Sequence, residues 1–276
     1  MAPVRLRRHV VVFGSCQGLA LAKLLRGSLP RWRYRIFFLW NPAGAGEMRP
    51  IEEILERLAT ADYAIYQPLG EAFGELGAEP LARTVASVPE VATFPRIIND
   101  GAQSLSRANR RAPELIFGQR YVIELLEAGT SLAEVQRRFA AGEIDFEQRR
   151  RFDRALLRLS QQERSRNCTI RPAAYIAAEH RRRRLFLNHN HPTTALVAEL
   201  AAQIRAQTGL AIDVESIRAR AHEEINAAGL PLDRVALTPQ DVAALGYRFD
   251  PDPDWRQSGE ALIEEIAGLR ARSGPH

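Results

Sequence analysis

A cysteine and two histidines in this chain of 276 residues stand in short polar segments that could carry chemistry. Cys16 lies in GSCQ, directly after the apolar run VVVF, and His189 and His191 lie in NHNHPT. A thiol at the start of a helix lies near the positive end of the helix dipole, which is expected to lower its pKa. A histidine could accept the thiol proton, so the pair predicts nucleophilic catalysis. The alternative for Cys16 is packing as a small apolar residue.

The elements that must position these residues are strands alternating with helices. Apolar runs predict strands at 8–13, 34–40, 62–68 and 90–100, the last broken by a proline, and amphipathic patterns predict helices at 17–29 and 51–59. This alternation predicts an α/β fold with a parallel sheet and flanking helices. RLFL, before the histidines, is predicted to be a further short strand. Ligands bind such sheets at the carboxyl ends of the strands, where GSCQ, Gln67 and NHNHPT are expected.

The middle of the chain, at about 107–180, has a different pattern. It is rich in charge and in helical periodicity, and it includes SLAE, in which Ser131 and Glu134 have the spacing of a capping box. We expect a single domain over 1–276, with this segment inserted as a helical cap that closes over the site.

The composition is that of an ordinary folded protein, with 46% hydrophobic and 26% charged residues. No apolar run reaches the length of about 18 residues that a membrane helix needs, so the sequence predicts a cytoplasmic protein without membrane insertion. Cys16 and Cys168 are expected to stay reduced in that compartment. The absence of a Cys/His cluster predicts no metal site.

The positive charge is carried almost entirely by arginine. The formal net charge is +5, and Lys23 is the only lysine. Arginine suits phosphate, because its planar guanidinium can bond two oxygens at once. Arg96 and Arg182, the latter within RRRR at 181–184, are candidates for such a contact, although a solvated charge run is the common alternative. Nucleic-acid binding is not favoured, since 33 acidic residues offset the positive charge and only 7% of the residues are aromatic.

Four short motifs, in order along the chain, resemble one known family. They are GSCQ at 14–17, YQP at 66–68, FPRI at 94–97 and NHPT at 190–193. Together they are similar to the WcbI-like capsular polysaccharide biosynthesis family of acetyltransferases. That resemblance implies a fold related to the SGNH/GDSL hydrolases, of flavodoxin-like three-layer type, and binding of coenzyme A.

The resemblance also implies site residues. It points to Cys16 as the reactive residue and to His191, rather than His189, as its base. The implied reaction is acyl transfer from acetyl-coenzyme A to a sugar hydroxyl. The coenzyme A-binding candidates lie near these motifs or carry positive charge: Gly14, Ser15, Gln17, Arg96, Arg182 and Asn190.

Two questions stay open on the sequence alone. Gln67 and the backbone amides beside Cys16 are candidate donors to an oxyanion, but Gln67 could equally bridge backbone groups at the strand ends. The reaction could also be hydrolysis, by an esterase or deacetylase of the same fold, and a protein that binds RNA or another polyanion without catalysis is the rival from a different class.

Overall fold

The computed structural model describes residues 7–39, 50–105, 118–219 and 234–273. These residues form two compact units, each built from several separate segments of the chain. The first unit comprises residues 7–39, 50–97, 158–176 and 192–219, and the second comprises residues 98–105, 118–157, 177–191 and 234–273.

The first unit contains a parallel sheet of four strands: β1 (Arg8–Phe13), β2 (Tyr34–Phe38), β3 (Tyr63–Tyr66) and β4 (Glu90–Thr93). The strand order is β2-β1-β3-β4, and all three neighbouring pairs are parallel. The chain moves outward from β1 to β2 and then returns past β1 to β3. The order of the strands therefore reverses between β1 and β3, and the carboxyl ends of these two strands are where an open α/β sheet binds its ligands.

Helices cover both faces of this sheet, as the continuous apolar run of β1 predicts. Val11 and Phe13 pack in one apolar cluster with Ile54 of α2 and Leu81 of α3. Because successive side chains of a strand point to opposite faces, Val10 and Val12 lie on the other face, where α1 and α8 pack. The bounds of the helices in this unit are α1 Cys16–Ser28, α2 Ile51–Ala59, α3 Ala78–Thr84, α8 Thr194–Thr208 and α9 Val214–Ala219.

The second unit is largely helical. Its apolar core joins α4, α5 and α11 through residues such as Val122, Phe139, Phe146 and Ile263. Gly259 of α11 lies against the Phe139 ring, where an added Cβ would come within 2.1 Å of a ring carbon. The helices of this unit are α4 Gln119–Glu127, α5 Leu132–Ala140, α10 Pro239–Leu245 and α11 Trp255–Ser273, and two further helices, α6 Gln148–Ser165 and α7 Ala173–Glu179, contribute residues to both units.

Most predicted elements are present with small changes at their ends. The first helix begins at Cys16 rather than at residue 17, and the second strand ends at Phe38. Ser131 caps α5 by accepting a hydrogen bond from the Glu134 amide at 3.2 Å, whereas the Glu134 carboxylate pairs with arginines of the same helix. Within the described residues, no helix is both long and apolar enough to cross a membrane.

Two expectations about organisation change. RLFL is not a strand of the sheet: Leu187 donates its amide hydrogen to the His191 carbonyl oxygen at 2.8 Å, inside a loop of the second unit. The expected insertion at 107–180 does not coincide with either unit, because 158–176 belongs to the first unit and the second unit also contains 234–273. Residues 106–117, at the start of that insertion, lie outside the described part of the chain. The single domain and the cap stay predictions.

Candidate active site

Cys16 is the first residue of α1, and it follows β1 at the point where the strand order reverses. Ser15 occupies the N-cap position, but its side chain accepts no hydrogen bond from the helix amides. The Cys16 side chain is partly exposed, whereas the other cysteine, Cys168, is fully buried. The chain therefore offers one accessible thiol at the ligand-binding end of the sheet, and the packing alternative applies to Cys168.

Two buried glutamines hold the turn that carries this thiol. The Gln67 Oε1 accepts a hydrogen bond from the Ser15 amide at 3.1 Å, and its Nε2 lies 3.3 Å from both the Gln17 Oε1 and the Pro95 carbonyl oxygen. Gln17 in turn clasps the backbone of Ile97: its Nε2 donates to the Ile97 carbonyl oxygen at 2.5 Å, and its Oε1 accepts from the Ile97 amide at 3.0 Å. We call these two residues, Gln17 and Gln67, the glutamine clamp.

The glutamine clamp decides between the two roles that the sequence left open for Gln67. Both hydrogens of its amide nitrogen are directed at acceptors within the protein, and the side chain is fully buried. These contacts favour bridging of the strand ends over donation to an oxyanion. The Ser15 amide is also engaged, by Gln67, so the backbone donors left for an oxyanion are the amides at the start of α1. The contacts of Gln17 likewise favour a structural role over direct binding of coenzyme A.

Gly14 acts through its lack of a side chain rather than through an unusual turn. Its φ is not positive, but an added Cβ would come within 3.1 Å of the Gln67 Cβ and 3.2 Å of the Phe94 Cζ. The backbone of the turn thus lies directly against the glutamine clamp and the Phe94 ring. This close approach explains why glycine follows β1.

The pKa of the Cys16 thiol is raised above its usual value, because partial burial disfavours the charged thiolate. The Ser15 side chain, the backbone amide of Gln17 and the positive charge of Arg96 act in the opposite direction but do not outweigh burial. The expectation of a net decrease, based on the helix N-terminus, is therefore wrong in sign. Arg96 is exposed and acts electrostatically on the thiol, so an anion or thiolate at Cys16 would be stabilised by it.

His191 and Asn190 lie in the second unit, in a loop built around Asn188. The Asn188 side chain is buried, and its Oδ1 accepts hydrogen bonds from the Asn190 amide at 3.0 Å and from the His191 amide at 2.8 Å. Its Nδ2 lies 3.0 Å from the His191 Nδ1. The sequence reasoning found no residue to orient His191 and missed Asn188, although an asparagine three residues before a histidine in a turn is a usable signal.

The arginine run at 181–184 divides into exposed and buried members. Arg182 and Arg183 are exposed and lie 3.5 and 3.4 Å from the Glu179 carboxylate. Arg184 is largely buried and pairs with the Asp252 carboxylate at 2.7 Å, while it also donates to the carbonyl oxygens of Val235 and Phe186. Arg184 thus has a structural role, and Arg182 keeps a solvated guanidinium in the second unit.

The structure brings Cys16, Ser15, Gln17, Gln67 and Arg96 together in the first unit, and it places Arg182, Asn190 and His191 in the second. In the described residues, no group of three or more His, Cys, Asp or Glu side chains is arranged to hold a metal ion. The fold and this arrangement define an α/β protein with a thiol at the reversal point of its sheet.

The comparisons with known proteins identify the family. The model of the polysaccharide biosynthesis enzyme WcbI matches residues 9–212, and the chain therefore belongs to this family of polysaccharide biosynthesis enzymes. No curated protein matches the chain.

One similar solved structure is that of WcbI itself, described as the native protein without a disulfide bond between coenzyme A and a cysteine. It is 18% identical to this chain, covers 98% of it and 91% of its own length, and has a TM-score of 0.60. At this identity the similarity shows the fold alone.

Proposed function

We propose that this protein is a coenzyme A-dependent acyltransferase that O-acetylates a sugar in polysaccharide biosynthesis, with Cys16 as the nucleophile. The observation that carries the proposal is the accessible Cys16 thiol at the first residue of α1, next to the positive charge of Arg96. Membership of the WcbI family supports the biological context, and the description of the WcbI structure, which mentions coenzyme A beside a cysteine, supports the choice of cofactor.

The proposed chemistry has two steps. The Cys16 sulfur attacks the carbonyl carbon of acetyl-coenzyme A, a new carbon–sulfur bond forms, and the coenzyme A sulfur leaves with the proton that the thiol has lost. The sugar hydroxyl oxygen then attacks the same carbon, the carbon–sulfur bond to Cys16 breaks, and the hydroxyl proton passes to the Cys16 sulfur. The amides at the start of α1 are the candidate donors to the oxyanion that develops in each step.

The raised pKa of Cys16 fits a nucleophile that becomes active when its substrate is bound. Free in neutral solution, the thiol is largely protonated and is protected from adventitious oxidation. The phosphates of coenzyme A require positive charge, for which Arg96 in the first unit and Arg182 in the second are the candidates. Asn190 is a further candidate for contact with the cofactor.

Calorimetry with coenzyme A tests the binding part of the proposal. Wild type and Cys16→Ala are expected to bind, because the phosphates rather than the thiol supply most of the affinity. Arg96→Ala is expected to weaken binding about tenfold, the effect of losing one charged hydrogen bond. Arg83→Ala, which removes an exposed arginine paired with Glu79, is the matched control and is expected to bind as wild type does. Failure of the wild type to bind would contradict the proposal, and ester hydrolysis would then be assayed.

Mass spectrometry tests the covalent step. Incubation with acetyl-coenzyme A is expected to add one acetyl group to the peptide that contains Cys16, and Cys16→Ser is expected to transfer acetyl groups more slowly. Sustained sugar acetylation by Cys16→Ala at the wild-type rate would instead indicate direct transfer, with the thiol only lining the site.

A further inference from the structure

The His191 imidazole is held by an amide that can only donate to it. The Asn188 Nδ2 lies 3.0 Å from the His191 Nδ1, and Asn188 is buried. An amide nitrogen carries two hydrogens and no free acceptor, so this contact requires Nδ1 to present its lone pair.

The orientation of the Asn188 amide is fixed from its other end. Its Oδ1 accepts hydrogen bonds from the Asn190 amide at 3.0 Å and the His191 amide at 2.8 Å. Turning the amide by half a rotation would direct its NH₂ group against two N–H donors and leave all of them unsatisfied. The three hydrogen bonds are therefore mutually consistent only with Nδ2 facing the ring.

A histidine held in this way has a defined protonation state. The neutral imidazole carries its proton on Nε2, because Nδ1 is the acceptor. The imidazolium form would direct an Nδ1–H at the Asn188 NH₂ group, so the same contact disfavours it. A base acting through Nε2 needs the opposite tautomer, with the proton on Nδ1.

We infer that Asn188 is a positioning residue that keeps His191 neutral with its proton on Nε2, so that His191 donates a hydrogen bond to the acyl carbonyl oxygen instead of acting as the base expected from the sequence. The role in acyl transfer rests on the proposed function, whereas the tautomer does not. A neutral histidine is a competent donor to a developing oxyanion. The proposed acyl transfer stays balanced without a histidine base, because each proton passes from the attacking group to the departing sulfur.

Nitrogen-15 NMR of the histidine rings in the full chain tests the tautomer directly. The His191 signals are assigned by their loss in His191→Gln. The expected pattern shows a protonated Nε2 and an unprotonated Nδ1 in the neutral form. A protonated Nδ1 with a bare Nε2 would overturn the inference.

Asn188→Asp reverses the polarity of the contact. A carboxylate still accepts from the Asn190 and His191 amides, so the turn is kept, but it now accepts from Nδ1–H and favours the other tautomer. We expect the Nδ1-protonated pattern and a fall in the acyl-transfer kcat of about 100-fold, the effect of losing one oxyanion donor, with the affinity for coenzyme A unchanged. An unchanged or higher kcat in this variant, with the tautomer switched, would show that His191 acts as a base and would overturn the inferred role.

Asn99→Asp is the matched control for charge. It adds the same negative charge in the same unit, at a side chain whose Oδ1 accepts from the Gly101 amide at 3.1 Å. The His191 tautomer is expected to match wild type, and a switched tautomer here would attribute the effect of Asn188→Asp to charge alone. Failure of wild type to bind coenzyme A would remove the proposed function and leave the NMR result intact, so the two failures are distinguishable.

Discussion

The loop that carries Cys16 and the loop that carries His191 are both organised by buried side-chain amides, but over very different distances in sequence. Gln67 reaches the Ser15 amide across 52 positions, and Gln17 reaches the Ile97 amide across 80. Asn188 reaches the His191 amide and ring across only three. The first loop is thus held by tertiary contacts, and the second by a local turn.

This difference predicts how each loop responds to change. Loss of a glutamine of the clamp removes contacts among β1, β3 and the segment after β4 at once, within a fully buried site. Loss of Asn188 affects one turn whose neighbours, Asn190 and His191, are partly exposed to solvent. The thiol loop should therefore show its defects as instability, and the histidine loop should show them mainly as altered chemistry.

The largest effect is expected for Gln67→Ala. The substitution leaves the Ser15 amide, the Gln17 Oε1 and the Pro95 carbonyl oxygen without their partner in a buried site, so we expect a loss of about 3 kcal/mol in the free energy of unfolding. Urea denaturation followed by circular dichroism measures it. Gln136→Ala is the control, because Gln136 makes an exposed hydrogen bond to Glu264, and it should change stability by less than about 0.5 kcal/mol. Equal losses in the two variants would refute the structural role of the clamp.

A smaller loss of stability is expected for Asn188→Ala. Solvent can reach the neighbourhood of the two amides that it releases, so we expect a loss of about 1 kcal/mol in the free energy of unfolding. The same urea titration gives the value. A loss as large as that of Gln67→Ala would erase the proposed distinction between the two loops.

The smallest effect concerns the reactivity of the thiol. Because its pKa is raised, alkylation of Cys16 by iodoacetamide should accelerate at a higher pH than for an ordinary cysteine. Removal of the positive charge in Arg96→Ala takes away a group that lowers this pKa, so the profile should move to still higher pH. At a fixed pH we expect a slowing of less than about fivefold, the scale of an exposed charge interaction. The rate is followed by mass spectrometry, in which buried Cys168 serves as the unreactive internal reference. Faster alkylation in Arg96→Ala would contradict the assigned direction.

Much of the first unit could be predicted from the sequence. The continuous apolar run of β1 required burial on both faces, and the alternation with amphipathic helices required a parallel sheet, as found. The short RLFL run failed as a strand, because an apolar run of this length pairs only where a partner edge is available, and its backbone bonds within the loop instead. Periodicity gives the type of an element but not its neighbours.

The sequence located the polar residues of the site better than it assigned their roles. Cys16 stands at the carboxyl end of β1 as predicted, but its pKa is raised rather than lowered, because desolvation depends on the atoms packed around the sulfur. Gln67 stands at the end of β3 as predicted, but the direction of its amide groups depended on where Ser15 and Pro95 came to lie. Asn188 was overlooked because its importance is in a ring contact that spacing does not describe.

The sequence by itself determined the strands, the main helices, the position of the thiol after β1 and the local turn at 188–191, since each depends on neighbours a few residues away. Only the tertiary structure decided the strand order, the glutamine clamp, the burial that sets the thiol pKa and the division of 181–184 into solvated and buried arginines. The physical reason is that hydrogen-bond direction and desolvation depend on atoms brought together from distant parts of the chain, and such atoms have no fixed spacing in the sequence.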